Sequence, residues 1–335
     1  MRTEEPELSV VIPAREEERH IAKCLDSVIH GSYPLSKLEI IVVDAMSNDG
    51  TRGIVKEYIG QYPQIRLLDN PRLITPVALN IGVQAAQGDV IMILGAHSYV
   101  DKDFLSESTR VLSEHPEAIC VGGIRKAVSD SSWETAVEVA LQAPIASGST
   151  QHLRNKGFVT TVVYGTYRRE AFEKYGLFDE RFIRAQDYEF NLRIVRAGGK
   201  IYQEPAIKSY YHPRRSLARL FRQYFQYGAW KMQVLMKHGV LSIKNFIAPL
   251  YFLAILGSAL GALADDISLY ILFFLVGCYL LSLVAIAFWA RKRNAGAGNP
   301  FLIAIVLFLI HTGFSMGFYK GTIDALVWKA FEKGH

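Results

Sequence analysis

The chain is 335 residues long, with 37 Lys+Arg against 32 Asp+Glu (formal charge +5), 50% hydrophobic and 21% charged residues. An average soluble domain holds about a quarter charged residues, so this composition excludes a disordered chain and supplies more apolar side chain than a soluble domain needs. The three cysteines, Cys24, Cys120 and Cys278, stand far apart, which excludes a disulfide framework or a Cys/His zinc module and suits a reducing compartment.

The opening residues, Met1-Arg2-Thr3-Glu4-Glu5-Pro6-Glu7, carry no apolar run after their charge. No secretory signal peptide is expected there, and any catalytic part is expected to stay in the cytoplasm. Short apolar runs then alternate with helical patterns. Residues 8–12 read as a buried strand, 17–29 as a helix, 39–43 as a strand and 52–62 as a helix. A strand over 65–68, a helix over 77–86 and a strand over 90–94 follow. This succession predicts right-handed crossovers and a parallel α/β sheet. Ligands in such sheets bind beyond the carboxyl ends of the strands. The residues placed there are Pro13-Ala14-Arg15-Glu16-Glu17, Asp44-Ala45-Met46-Ser47-Asn48-Asp49-Gly50-Thr51 and Gly95-Ala96-His97-Ser98. Neither GxGxxG nor GxxxxGK[ST] follows any of these strands, so dinucleotide and P-loop readings lose their main support. Further on, Gln186-Asp187-Tyr188-Glu189 precedes a helical stretch over 190–197, where Asp187 is either a functional carboxylate or a helix cap.

Residues 205–264 contain no Asp or Glu. Within them Leu217, Leu220, Phe221, Tyr224, Phe225 and Gly228 share one helix face, while Arg219, Arg222 and Gln226 take others. A basic amphipathic helix of this kind lies on an anionic membrane surface or packs on a soluble domain with its basic face solvated. Residues 246–264, 267–290 and 299–319 carry no charge, and each is long enough to cross about 30 Å of hydrocarbon. The positive-inside rule puts Arg291-Lys292-Arg293 in the cytoplasm and Asp265-Asp266 outside, whereas Lys320, Lys329 and Lys333 pull against an external C-terminus. The expected organisation is a catalytic domain over 1–205, a basic interfacial region over 206–243, three transmembrane helices over 244–319 and a tail over 320–335.

The order and spacing of these motifs resemble family-2 glycosyltransferases of the GT-A fold, in particular the membrane-anchored exopolysaccharide type that includes the succinoglycan glucosyltransferases. The resemblance covers about residues 8–232, and the spans, with His311-x-Gly313-x-x-x-Gly317, suit the same type. It implies a Rossmann-like, mostly parallel GT-A domain followed by a C-terminal transmembrane region. It implies that Pro13, Ala14, Arg15 and Glu17 face the nucleobase, with Glu16 where Asn is usual. Asp44 then accepts a hydrogen bond from the base, against the alternative of a turn or cap residue. Gly95, Ala96 and His97 stand where the family has its Asp-x-Asp metal motif. Gly95 and Ala96 count with the nucleotide-facing residues, although Gly95 offers no carboxylate. His97 either binds a divalent Mn²⁺ or Mg²⁺ ion or hydrogen-bonds phosphate. The literal match Asp101-Lys102-Asp103 opens the next helix and is set aside.

By the same resemblance Asp187 is the catalytic base, Gln186 replaces the Glu before it, and Glu189 orients Asp187 or caps the helix. His212 completes the metal or phosphate site, and Arg214 and Arg215 contact the departing diphosphate. Gln226 and Trp230 fall near the Gln-x-x-Arg-Trp motif of processive synthases and count with the diphosphate and acceptor residues; Ala229 replaces its Arg, which favours one sugar per encounter. The expected activity is inverting transfer of a hexose from a nucleotide sugar, with UDP as carrier, to a hydroxyl of a polyprenyl-linked saccharide in surface polysaccharide synthesis. The expected enzyme is multi-pass in the cytoplasmic membrane with its catalytic domain inside, and has no nucleic-acid partner. The alternatives are a polyprenyl-phosphate glycosyltransferase, whose acceptor is already ionised, and a non-catalytic scaffold that kept the fold.

Overall fold

A computed structural model describes residues 7–143, 156–211, 216–239 and 243–333. Strands β1 (Leu8–Ala14), β2 (Leu38–Asp44), β3 (Ile65–Asp69) and β4 (Val90–Ile93) pair in parallel in the order β3-β2-β1-β4. Helices α1 (Ile21–Ile29), α2 (Thr51–Gln61) and α3 (Thr75–Ala85) connect them. The strands are apolar on both sides because both faces are covered. Val10, Ile12, Ile40 and Val42 pack with Leu25 and Val28 of α1 and Val55 of α2, whereas Val11, Ile41 and Val43 pack with Ala78 and Leu79 of α3.

The chain then turns the sheet antiparallel. After β5 (Tyr99–Val100) and α4 (Phe104–Glu114), β6 (Ala118–Ala127) lies next to β8 (Val163–Arg168), which is itself antiparallel to β4. The nine-stranded sheet is completed by β9 (Lys200–Tyr211), with β5 and β7 (Gly157–Val159) both antiparallel to it. Helices α6 (Glu170–Tyr175) and α7 (Gln186–Arg196) precede β9. Because β4 and β6 are both antiparallel to β8, they run in the same direction, and the carboxyl end of β6 joins the rim formed by β1, β2 and β4. The amino end of β8, with Tyr164, lies on that rim too.

The chain forms two compact units, Met1–Lys126 with His152–Tyr211, and Ala127–Gln151 with His212–His335. The boundary expected at residue 205 moves to Tyr211 because β9 stays paired with β5 as far as Tyr210. The segment holding α5 (Ser132–Leu141) belongs to the second unit, where Ala136, Val139 and Ala140 pack against Leu283, Ala287, Ile303 and Leu307.

The second unit also contains α8 (Leu217–His238), α9 (Lys244–Gly261), α10 (Asp266–Arg293) and α11 (Pro300–Lys333). Three helices, Lys244–Gly261, Asp266–Arg293 and Pro300–Leu326, are long and apolar enough to cross a membrane. One tyrosine hydroxyl stitches each pair of them. Tyr251 of α9 donates to the Leu275 carbonyl of α10 at 2.8 Å, Tyr279 of α10 meets His311 Nδ1 of α11 at 3.1 Å, and Tyr319 of α11 donates to the Pro249 carbonyl of α9. Such bonds tie helices where hydrophobic contact alone gives no preference over lipid.

Helix α8, whose amphipathic pattern suggests a membrane surface, packs its apolar side along α11 through glycines. A Cβ on Gly317 would sit 1.9 Å from the Phe225 carbonyl oxygen, one on Gly321 would sit 2.5 Å from that of Ala229, and one on Gly228 would sit 2.0 Å from that of Phe314. The contacts climb together along both chains, so the two helices run parallel. Arg219 and Arg222 remain on the exposed side of α8. The expected end of the third span at 319 is passed for the same reason: Gly321 extends the seam, and Lys320 pairs with Asp324 one turn on.

Gly317→Leu is therefore expected to destabilise the protein by roughly 1–3 kcal/mol or more through overpacking. Gly257→Leu on α9, where an added Cβ meets nothing within 4 Å, is expected to be tolerated. Thermal unfolding of the detergent-solubilised variants compares the two. Equal stability would remove the seam.

Candidate active site

The rim is organised by Asp44, the last residue of β2, which is wholly buried. Its Oδ2 accepts from Ser47 N–H at 2.9 Å and from Arg52 Nη1 at 2.8 Å, and its Oδ1 accepts from the Ser47 hydroxyl at 2.6 Å. Arg52 also reaches Asp69 at the end of β3, at 2.8 Å. One buried carboxylate thus closes the loop after β2 and, through Arg52, ties it to β3.

That loop holds the one after β1. Three successive backbone N–H groups, of Glu16, Glu17 and Glu18, donate to Ser47 Oγ (2.9 Å), Thr51 Oγ1 (2.8 Å) and Asp49 Oδ2 (3.1 Å). Glu16 Oε1 returns a bond by accepting from Asn48 N–H at 2.9 Å. Partial burial opposes ionisation of Asp49, but the Thr51 hydroxyl and the N–H groups of Thr51 and Glu18 outweigh it and hold the carboxyl below its ordinary value. With these N–H groups committed to side chains, the helix expected from residue 17 starts at Ile21.

Pro13 and Ala14 form the end of β1, and Arg15 reaches the Leu73 carbonyl in the loop after β3 at 3.3 Å. Glu17 turns the other way, toward β4, and its Oε1 lies 3.5 Å from His97 Nδ1. Beneath this pair the Cys24 thiol is 3.9 Å from the Gly95 carbonyl, kept protonated first by burial and then by the Glu17 charge. A Cβ on Gly95 would meet His97 at 3.4 Å and the Tyr164 ring at 3.6 Å, while the Tyr164 hydroxyl bonds Ser98. Glu17, Gly95, His97, Ser98 and Tyr164 therefore form one cluster.

Asp187 lies in the first turn of α7, which begins at Gln186, rather than ahead of the helix. Its side chain is open to solvent but ringed by protein. The resulting desolvation raises its carboxyl above the ordinary aspartate range, although Tyr188 N–H and the charge of Arg125, at the carboxyl end of β6, act in the opposite sense. Glu189 is wholly buried and accepts from Arg193 at 2.9 Å.

Among the described residues six non-glycine positions have positive φ, and five stand in or beside this rim: Glu16 (55°), Met46 (53°), Leu73 (62°), Tyr164 (50°) and Ala185 (58°). Each costs about 1–3 kcal/mol, a strain that clusters at functional sites.

Comparison with known proteins gives the family. Residues 9–176 match the profile described as Glycosyl transferase family 2. This chain belongs to that family. A curated relative from Methanococcus voltae, named dolichyl N-acetyl-alpha-D-glucosaminyl phosphate 3-beta-D-2,3-diacetamido-2,3-dideoxy-beta-D-glucuronosyltransferase, is 32% identical over 94% of this chain and 97% of its own length. The succinoglycan biosynthesis protein ExoA of Rhizobium meliloti (strain 1021) is 27% identical over 94% of both chains. Among solved structures, the mannosyltransferase PcManGT from Pyrobaculum calidifontis in complex with GDP-Man and Mn²⁺ superposes with a TM-score of 0.63 at 18% identity, over 96% of this chain and 88% of that one. That likeness concerns the fold. The family-2 chain is thus a glycosyltransferase with a GT-A-like, mostly parallel sheet and is a membrane protein.

Within this glycosyltransferase Asp44 has a structural part beside the base contact expected of it. Its two oxygens accept from three donors and none of its surface is exposed, so it holds the loops together. Asp101 and Asp103 are away from the cluster: Asp101 accepts from the Tyr210 hydroxyl at 2.8 Å, and Asp103 precedes α4. Gln226 and Trp230 lie on α8 in the second unit. His212, Arg214 and Arg215 lie outside the described residues. Tyr164 and Arg125 went unread in the sequence, because only the antiparallel turn of the sheet carries them to the rim.

Asp44→Ala is expected to cost about 3 kcal/mol of stability, since it strips a charged acceptor from Arg52 and from buried Ser47. Denaturant unfolding measures this directly. A fully stable variant with only weakened nucleotide affinity would remove the structural role and leave the base-binding one.

Proposed function

We propose that this glycosyltransferase moves a hexose, with inversion, from a nucleotide sugar carried by UDP to a hydroxyl of a polyprenyl-linked saccharide during surface polysaccharide assembly. Its catalytic domain faces the cytoplasm and its spans sit in the cytoplasmic membrane. The observation that carries the reading is Asp187, a solvent-open carboxylate of raised pKa on the first turn of α7. An acceptor hydroxyl must lose its proton as the glycosidic bond forms, and a carboxylate of raised pKa is a better base than an ordinary aspartate. Direct displacement by that oxygen inverts the anomeric carbon and needs no second nucleophilic carboxylate. The Methanococcus relative, whose name describes a dolichyl-phosphate-linked amino sugar, supports a lipid-linked saccharide as acceptor.

Among the described residues no group of three or more His, Cys, Asp or Glu side chains converges on one point. Glu17 Oε1 and His97 Nδ1, 3.5 Å apart, nevertheless fit two positions of a divalent site, with a carboxylate and a neutral imidazole as ligands. A bound Mn²⁺ or Mg²⁺ would neutralise the charge growing on the leaving diphosphate. In this reading Arg15 and the backbone of Ala14, Gly95 and Ala96 face the nucleotide. Arg214, Arg215 and His212 meet the diphosphate, and Gln226 and Trp230 meet the acceptor. A polyprenyl-phosphate acceptor is disfavoured because it needs no base.

Asp187→Asn is expected to lower transfer by about 10²–10⁴-fold with nucleotide affinity retained. The same variant should be more stable than wild type at neutral pH. A carboxyl whose pKa rises on folding contributes stability only while protonated, and that contribution is lost as pH rises through the folded value. Radiolabelled-sugar transfer and unfolding at two pH values measure both effects. Wild-type transfer by Asp187→Asn would favour the ionised acceptor.

Chelation should stop transfer and added Mn²⁺ restore it. Glu17→Gln and His97→Ala should each weaken Mn²⁺-dependent binding of UDP, read by calorimetry without turnover, and His97→Asp should retain part of it. Full activity in excess chelator would refute the metal role.

A further inference from the structure

Helix α7 carries Asp187 on its first turn, and that turn lacks the usual cap. Ala185, at its N-cap, has a left-handed backbone (φ 58°) and no side-chain acceptor to offer the first N–H groups of the helix. Helix ends held in this way fray. One turn further on stands Asn191, a poor residue for a helix interior. It is wholly buried, where an amide is costly unless both of its ends are bonded. The helix by itself gives no reason for it.

Two groups from one neighbouring segment supply the reason. The Tyr167 hydroxyl of β8 donates to Asn191 Oδ1 at 2.8 Å, and Asn191 Nδ2 donates to the hydroxyl of Thr161, just before β8, at 3.0 Å. Tyr167 is itself buried, with its ring centroid 5.4 Å from that of Phe172 and 5.5 Å from that of Phe190. Burial first, and the Asp187 charge among the lesser causes, push its hydroxyl well above the ordinary tyrosine range, so it stays a donor. The amide of Asn191 is thus pinned at both ends. Four positions from Asp187, it lies on the same side of the helix. Glu189 and Arg193 hold a different side, where Arg193 donates to Glu189 and to the carbonyls of Tyr175 and Leu177.

Resting on the base assigned to Asp187 above, we infer that Asn191 is a positioning residue: pinned by Tyr167 and Thr161, it fixes the first turn of α7 and with it the place of the Asp187 carboxylate. Buried as it is, it acts only through that carboxylate. Loosening it should then slow transfer without changing the hold on the nucleotide.

The test compares Asn191→Ala with two milder variants, Tyr167→Phe and Thr161→Val, in the full chain in detergent. The Glu189 and Phe190 amides are the first to bond within α7. Their hydrogen–deuterium exchange should quicken about tenfold or more in each variant. Transfer at saturating donor should fall about 10–100-fold, the scale of a slightly misplaced catalytic group, while UDP affinity by calorimetry stays as in wild type. Thr161→Ser, which keeps the hydroxyl, should behave as wild type in both. Placed on top of Asp187→Asn, the three variants should lower transfer no further, because a base already lost cannot be misplaced. Using two milder variants guards against misfolding of the first. Unchanged exchange, or a loss of transfer that multiplies with that of Asp187→Asn, overturns the inference. So does full transfer despite faster exchange where Asp187→Asn is impaired. Faster exchange together with wild-type transfer by Asp187→Asn overturns the base and leaves Asn191 as the anchor of α7.

Discussion

The arrangement of the active-site rim depends on one buried carboxylate. Asp44 sits without exposed surface at the end of a central parallel strand, a place where an unpaired charge would be strongly unfavourable. It is compensated by Ser47 N–H, the Ser47 hydroxyl and Arg52, and this closes the loop after β2 into a fixed shape. That shape presents Ser47 Oγ, Thr51 Oγ1 and Asp49 Oδ2 as acceptors for the three N–H groups that follow β1. Glu17 is thereby aimed at His97 across the sheet. A chain of hydrogen bonds runs from the core to the rim.

The positive-φ residues fit the same picture. Glu16, Met46 and Leu73 each follow a parallel strand and each adopts a backbone that a side chain disfavours. Hydrogen bonds at Glu16 and Leu73 hold the loops that carry this strain, a fixed arrangement of the kind that clusters at functional sites. Preorganised groups need no rearrangement as charge develops in a transition state, which is where such rigidity helps catalysis.

The second unit solves a different problem. Between helices in lipid, apolar contact gives little driving force, and close backbone approach and interhelical hydrogen bonds take over. The glycines of α11 supply the first against α8, and Tyr251, Tyr279 and Tyr319 supply the second among α9, α10 and α11. Arg219 and Arg222 show why α8 reads as a surface helix from sequence: its exposed side is basic, and nothing in its own pattern reveals that its apolar side belongs to another helix.

The sequence by itself determined the parallel α/β core, the three long apolar helices and the loops in which the candidate residues lie, because these follow from periodicity, unbroken apolar runs and strand order. The resemblance to family-2 glycosyltransferases also singled out His97 and Asp187 by their places in its motifs. Only the tertiary structure decided what those groups face. That Asp44 accepts from Ser47 and Arg52 is visible only in the fold. Glu17 reads from the sequence as a nucleobase-facing loop residue, and only the fold places its carboxylate beside His97. Tyr164 and Arg125 reach the rim only because β8 and β6 reverse the sheet beside β4. Local pattern reports what a residue prefers, but a carboxylate's role depends on which donors surround it, and those come from chain segments tens of residues away.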